Sequence, residues 1–196
     1  LLYGDDVSSP LGYDTGPGNG LMDSWILQCL GKAYDDNGQW ASEGRVIQPL
    51  LEQFLKTPYL LKKPPKSTGR ELFNPEWLTQ QLASFGDSAD PADLQATLLE
   101  FTAQTISTSI RKSDGPIAEA YICGGGAYNG ALVSRISTLL APIQVSTTAV
   151  LGILPEWVEA MAFAWLAQQT LAGKPGNEPT VTGASAASVL GAIHPA

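Results

Sequence analysis

Apolar positions along the chain fall into alternating helical and extended periods. Leu21, Met22, Trp25, Ile26, Cys29 and Leu30 return at helical spacing and lay one stripe along a predicted helix. Val46, Leu50, Leu51, Phe54 and Leu55 form a second stripe. Asn74-Pro75 and Asp90-Pro91 each put a capping side chain before a proline suited to the first helical turn. The pattern therefore predicts helices near 75–83 and 91–111, the second the longest in the chain. Ile117 to Cys123 mixes β-formers with alanine and ends on Gly124-Gly125-Gly126; Leu132, Val133, Ile136, Leu139 and Leu140 then recur at helical spacing. That order is strand, glycine loop, helix. Ile143 to Thr147 predicts another short strand. After Pro155, Trp157, Val158, Met161, Phe163, Trp165 and Leu166 fall on nearly every side of a helix, so that helix is expected to be buried or covered by a partner. Thr180 to Ala196 is rich in Ala, Gly and Ser, yet Val181, Val189, Leu190 and Ile193 predict that part of it packs.

Strands alternating with helices point to an α/β fold, in which ligands gather at loops beyond the carboxyl ends of the strands. Two glycine loops hold that kind of position. Gly12 to Asn19 reads Gly-Tyr-Asp-Thr-Gly-Pro-Gly-Asn, which leaves no room for a regular element, and Gly124 to Gly126 closes the strand before a helix. A third irregular stretch, Lys62 to Arg70, carries four of the chain's eleven basic residues. There is no internal repeat.

With 196 residues, 44% of them hydrophobic and 15% charged, one sizeable core and a single domain are expected. A net charge of -8 argues against a nucleic-acid partner, because phosphate backbones call for clustered Lys and Arg. Small-molecule ligands follow. No apolar run approaches the ~18 residues of a membrane span and no signal segment opens the chain, so no membrane partner and a cytoplasmic location are expected. Cys29 and Cys123 are expected to be reduced core thiols, a disulfide between them being the alternative. The opening Leu1-Leu2-Tyr3, without an initiator Met, suggests a cut within a longer polypeptide.

Asp14, beside Thr15 and Gly16 in a loop of glycines, has the chemistry to take a proton from a hydroxyl or water, or to hold a magnesium ion. The alternative is that it fastens a tight turn through its own backbone; Asn19, likewise, is either functional or the cap of the next helix. The Gly124-Gly125-Gly126-Ala127-Tyr128-Asn129 segment lets a ligand approach the backbone at a helix amino terminus, or is a sharp turn; it is not the GxGxxG dinucleotide pattern. Glu159, among Trp157, Val158, Met161 and Phe163, either faces a cleft or marks the solvent side of its helix, and Glu156 in the first turn complements the helix dipole. Lys62, Lys63, Lys66 and Arg70 either draw a phosphate or acidic sugar or form a solvated loop that pairs with acidic neighbours. The single His194 lacks a triad partner, and two cysteines do not build a zinc site; no metal-ligating set is expected.

Four segments in order, Gly12 to Asn19, Lys66-Ser67-Thr68-Gly69-Arg70-Glu71, Cys123 to Asn129 and Val158 to Leu166, closely resemble the anhydro-N-acetylmuramic acid kinase family. The likeness runs almost end to end, through Pro175-Gly176-Asn177 and Val181 to Ala184. It implies an α/β fold: a ribonuclease H-like lobe of the actin-like ATPase and sugar-kinase type, a mixed sheet flanked by helices, with ATP and Mg2+ bound between two lobes. The implied reaction opens the 1,6-anhydro ring of the cell-wall sugar with water while O6 receives the γ-phosphate. The product, N-acetylmuramic acid 6-phosphate, belongs to peptidoglycan recycling.

In that resemblance Asp14 matches the catalytic base, Glu159 with Thr15 and Gly16 the sugar contacts, and Gly124, Gly125, Gly126 and Asn129 the nucleotide loop. The family is longer than this chain: the resemblance covers its carboxy-terminal lobe, residues 1–196, and the amino-terminal lobe with its phosphate loop is absent, so the fragment alone is expected to be inactive. Tyr128 and Glu156 stand where relatives more often have His and Asp. A non-catalytic nucleotide-binding or scaffolding module of the same fold is the competing reading. The apolar helix over 156–171 makes a homodimer face conceivable. Two further expectations follow from the kinase reading: the glycine loops converge on one cleft, and Glu159 points toward it.

Overall fold

Helix α5 (Pro91–Arg111), 21 residues long, is the axis around which the remaining elements of this computed structural model assemble. The structure describes residues 10–86, 89–113 and 116–194. Asp90 accepts from the Ala92 N–H at 2.9 Å and Pro91 occupies the first turn, so α5 starts where its capping pair predicts. At the other end Arg111 donates to the carbonyls of Leu139 and Ala141. Every residue from Leu94 to Ala103 is buried, which a helix achieves only when neighbours cover all its sides. Those neighbours are α1 (Gly20–Leu30), α2 (Gln39–Glu43), α3 (Gln48–Leu55) and α6 (Gly130–Leu140).

The apolar centre is an aromatic cluster. Phe54 of α3 lies 5.2 Å, centroid to centroid, from Trp77 of α4 (Pro75–Phe85) and 5.4 Å from Phe101 of α5, with Phe73 closing the group. Two buried polar groups on α5 are satisfied by neighbouring elements: Thr97 accepts from the Ile47 N–H, and Glu100 takes two N–H donors from Arg135 of α6 at 2.6 and 2.8 Å. Arg135–Glu100 is the one ion pair among the described residues.

The chain is mixed α/β and helix-rich, with a small parallel sheet. Strand β1 (Glu119–Ile122) pairs in parallel with β2 (Gln144–Thr147), Glu119 opposite Gln144 and Ile122 opposite Thr147, and α6 is the crossover between them. One edge of β1 has no partner among the described residues. Helix α7 (Trp157–Leu171) and the single turn α8 (Pro179–Thr182) complete the order.

Several expectations change. Val46 precedes α3 and is exposed, because the chain turns at Ile47, whose amide is drawn to Thr97. Cys123 is exposed just beyond β1 and Cys29 is half-buried, so both thiols are free, as expected, but neither belongs to the core. Helix α7 starts at Trp157, after a turn at Pro155, and none of its residues is buried in this chain. Val181 of the terminal segment packs against Gly12, whereas Val189, Leu190 and Ile193 stay exposed. Leu1-Leu2-Tyr3 and Ala196 lie outside the described residues. Among the described residues no helix is long and apolar enough to cross a membrane.

Candidate functional site

The first glycine loop lies flat along α5, and its residue choices follow from that. A Cβ on Gly16 would sit 2.7 Å from Thr105 Oγ1, so glycine is what lets the loop touch the helix. The Gly18 carbonyl accepts from the Thr102 hydroxyl at 2.8 Å. Tyr13 O–H reaches the Ser109 carbonyl at 3.4 Å. Thr15 and Gly16 are half-buried between these attachments.

Asp14 stands at the outer side of this loop, exposed. Its carboxylate does not fasten its own turn. Both donors to Oδ2 come from a distant segment: the Ser67 hydroxyl at 2.8 Å and the Thr68 N–H at 2.9 Å. Tyr59 O–H donates to the Asp14 backbone carbonyl at 2.9 Å. Residues 59–68 therefore grip Asp14 at both ends.

Lys66 braces this strap. Its ammonium lies 4.8 Å from the centroid of the Tyr59 ring and 5.5 Å from that of Tyr13, within 3.4 Å of the Tyr59 and Leu60 carbonyls. Burial, with Lys112 adding a like charge, lowers the Lys66 ammonium below the ordinary lysine range. The basic segment is thus not merely a solvated run paired with acids: Lys66 is half-buried against aromatic rings, Lys62 lies over the Tyr59 ring, and Arg70 acts on Asp23. Burial pushes the Asp23 carboxyl up, with Arg70 opposing.

The second loop follows β1. Gly124 has φ 72°, a left-handed conformation that favours glycine, and its N–H donates to the Pro155 carbonyl at 3.0 Å. A Cβ on Gly125 would meet only Asn19 Nδ2, at 3.9 Å, so the backbone there is open to a ligand. Asn129 is buried, and its Oδ1 accepts from the Leu132 N–H at 3.0 Å as the cap of α6. Tyr128 O–H donates to the Glu156 carboxylate. That bond holds the Glu156 carboxyl below its ordinary value and raises the Tyr128 phenol. The amino end of α7 is therefore tied to the second glycine loop. Glu159, one turn further on, is exposed and bonded to no described side chain.

The two loops meet. Asn19 makes no side-chain cap for α1; instead a Cβ on Gly126 would fall 3.1 Å from Asn19 Oδ1 and 3.3 Å from its Nδ2. Gly18, Asn19, Cys123 and Gly126 rim one cavity of about 370 Å³, floored by apolar side chains that include Ile106 and Ile122. A larger cavity of about 520 Å³ lies between α2, α5 and α6 and contains none of the residues expected at the site. Among the described residues no group of three His, Cys, Asp or Glu forms that could hold a metal ion.

The structure thus brings the two loops to one rim through Gly18, Asn19 and Gly126; of the expected site residues only Gly126 lines that cavity, while Asp14, Thr15 and Gly16 lie further back on the first loop and Glu159 is exposed on the helix tied to the second. Ser67 and Thr68 belong to the Lys66–Glu71 segment that resembles the family, but its charges suggest a basic loop and not a hydroxyl and an amide that hold Asp14, and Tyr59 carries no signal of its own in the sequence.

The family model described as anhydro-N-acetylmuramic acid kinase matches residues 5–196. Proteins of that description are 55% identical over 185 residues in Thiobacillus denitrificans, covering 94% of this chain and 50% of the relative. A Coxiella burnetii relative is 50% identical over 194 residues, covering 99% and 52%. One from Nitrosomonas europaea is 51% identical over 185 residues, covering 94% and 50%. The chain spans about half the length of these curated relatives.

Proposed function

Because the chain belongs to the anhydro-N-acetylmuramic acid kinase family, we propose that it forms the carboxy-terminal lobe of an ATP-dependent kinase acting on 1,6-anhydro-N-acetylmuramic acid. In this reading water attacks the anomeric carbon, its proton passes to Asp14, the bond to O6 breaks, and O6 takes the γ-phosphoryl group of ATP as ADP leaves. The product is N-acetylmuramic acid 6-phosphate, and its place is cytoplasmic peptidoglycan recycling.

The observation that carries the proposal is the state of Asp14. Its carboxylate is anchored through Oδ2 by donors from a separate segment, which leaves Oδ1 for a proton. The meeting of the two glycine loops supports the rest: Gly124 to Gly126 offer open backbone to a nucleotide, and Thr15, Gly16 and Glu159 are assigned to the sugar. Asn129 would act on the nucleotide indirectly, by capping α6 behind the loop. Mg2+, when bound, would neutralise phosphate charge; with no three-residue metal cluster among the described residues, it would be held mainly by the phosphates of ATP.

The ribonuclease H-like assignment rests on the parallel β1–β2 pair with its helical crossover and the cavity beside β1. An uncovered α7, with Trp157 57% and Phe163 64% exposed, fits a lobe whose remaining layers lie in the other half of the full-length protein. The test compares sugar-phosphate formation by the full-length protein, its Asp14→Asn variant and the isolated 196-residue chain. Turnover by the full-length protein alone is expected, with Asp14→Asn slowed about a hundredfold to ten-thousandfold and nucleotide affinity little changed. Near-normal turnover by Asp14→Asn removes Asp14 as base; robust turnover by the isolated chain overturns the lobe reading.

A further inference from the structure

We propose that Ser67 is a positioning residue of the reaction, which sets the Asp14 carboxylate so that Oδ1 alone faces the water; this rests on the reading of Asp14 as the base. A carboxylate turns about a broad, roughly two-fold torsion, and a base that turns freely spends much of its time misaligned. Here the torsion is pinned. The Ser67 hydroxyl at 2.8 Å and the Thr68 N–H at 2.9 Å converge on the same oxygen, Oδ2, and no described donor takes Oδ1.

The donors are themselves held. Lys66, next in sequence, sits between the Tyr13 and Tyr59 rings, and Tyr59 O–H bonds the Asp14 backbone carbonyl at 2.9 Å. One strap therefore fixes the backbone and the carboxylate of residue 14 together. A turn-fastening aspartate would accept from the amides of its own loop, and Asp14 accepts from residues 53 and 54 positions away. Among the described residues Ser67 supplies the only side-chain donor to this carboxylate, so it is the member of the pair that a substitution removes without disturbing the backbone.

The experiment uses the full-length protein with anhydro-N-acetylmuramic acid and ATP, and the variants Ser67→Ala, Ser67→Thr, Asp14→Asn and the double variant. Ser67→Ala is expected to lower kcat about tenfold to a hundredfold, with KM for the sugar and nucleotide Kd changed less than about twofold. Ser67→Thr, which keeps the hydroxyl, restores most of the rate. In the Asp14→Asn background Ser67→Ala has no further effect, since a residue acting through Asp14 has nothing left to position. Ser67→Ala at wild-type kcat beside an inactive Asp14→Asn overturns the inference and leaves the base reading standing. Equal slowing by Ser67→Ala with and without Asp14 also overturns it. Near-normal turnover by Asp14→Asn removes the base reading and this inference with it.

Discussion

Gly16→Ala tests whether the contact between the first glycine loop and α5 governs the placement of Asp14. The added Cβ would lie 2.7 Å from Thr105 Oγ1, 3.1 Å from its Cβ and 3.3 Å from its Cγ2. Optimal carbon contacts are about 3.5–4.0 Å, so all three are too close. Thr105 cannot yield freely: it is buried on α5 and its hydroxyl bonds the Thr102 carbonyl at 3.0 Å. The loop must therefore lift, against the Thr102–Gly18 bond on one side and the grip on Asp14 on the other. Overpacking of this kind costs about 1–3 kcal/mol, and a shift approaching 1 Å at a catalytic group costs about a hundredfold in rate. Thr105→Ala removes the contacts at 2.7 and 3.3 Å and leaves the one at 3.1 Å, so the double variant should recover part of both losses. The assay is the urea unfolding midpoint and kcat of the full-length protein for each single variant and the pair, with a coupling of about 1 kcal/mol expected. Strict additivity, or a Gly16→Ala enzyme with normal stability and turnover, would refute the reasoning.

Glu100→Gln probes the ion pair. Burial pushes the Glu100 carboxyl up, but hydrogen bonds from Arg135 and Gln104 and the Arg135 charge outweigh it, so the folded value lies below the ordinary 4.5. The charged form is thus favoured by folding; its contribution is present above pH 4.5 and is lost as the pH falls through the folded value. The stability gap between wild type and Glu100→Gln should shrink on acid titration, and a gap independent of pH down to about 3 speaks against the pair. Phe54→Ala, at a fully buried ring packed on Trp77 and Phe101, should cost about 3–5 kcal/mol in denaturant unfolding. Tyr128→Phe removes the bond to Glu156 that ties the second glycine loop to α7, and should weaken nucleotide binding about two- to fivefold in calorimetry with an unchanged melting temperature.

Local chemistry determined much of the architecture before any packing was considered. Asn74-Pro75 and Asp90-Pro91 set the starts of α4 and α5, because a cap and a proline act within one turn of chain. The strand, glycine loop and helix from β1 to α6 were legible for the same reason, and so were the four segments that resemble the kinase family. What only the tertiary structure decided depends on residues far apart in sequence. Periodicity says that α7 is apolar on all sides; it does not say that among the described residues all fifteen of its positions stay unburied. Sequence leaves Asn19 either functional or a helix cap; in the structure its side chain makes no cap and faces Gly126, because the two loops meet there. Asp14 looked equally suited to fastening a turn or to taking a proton, and its own loop offered no way to choose. Ser67 and Thr68 hold its carboxylate away from its own turn, and their donors reach it only after α3 and the 3-10 turn Pro58–Leu61 have brought the strap back to the first loop. A hydrogen bond of that kind has no period and no composition, so it leaves no trace until the chain has closed on itself.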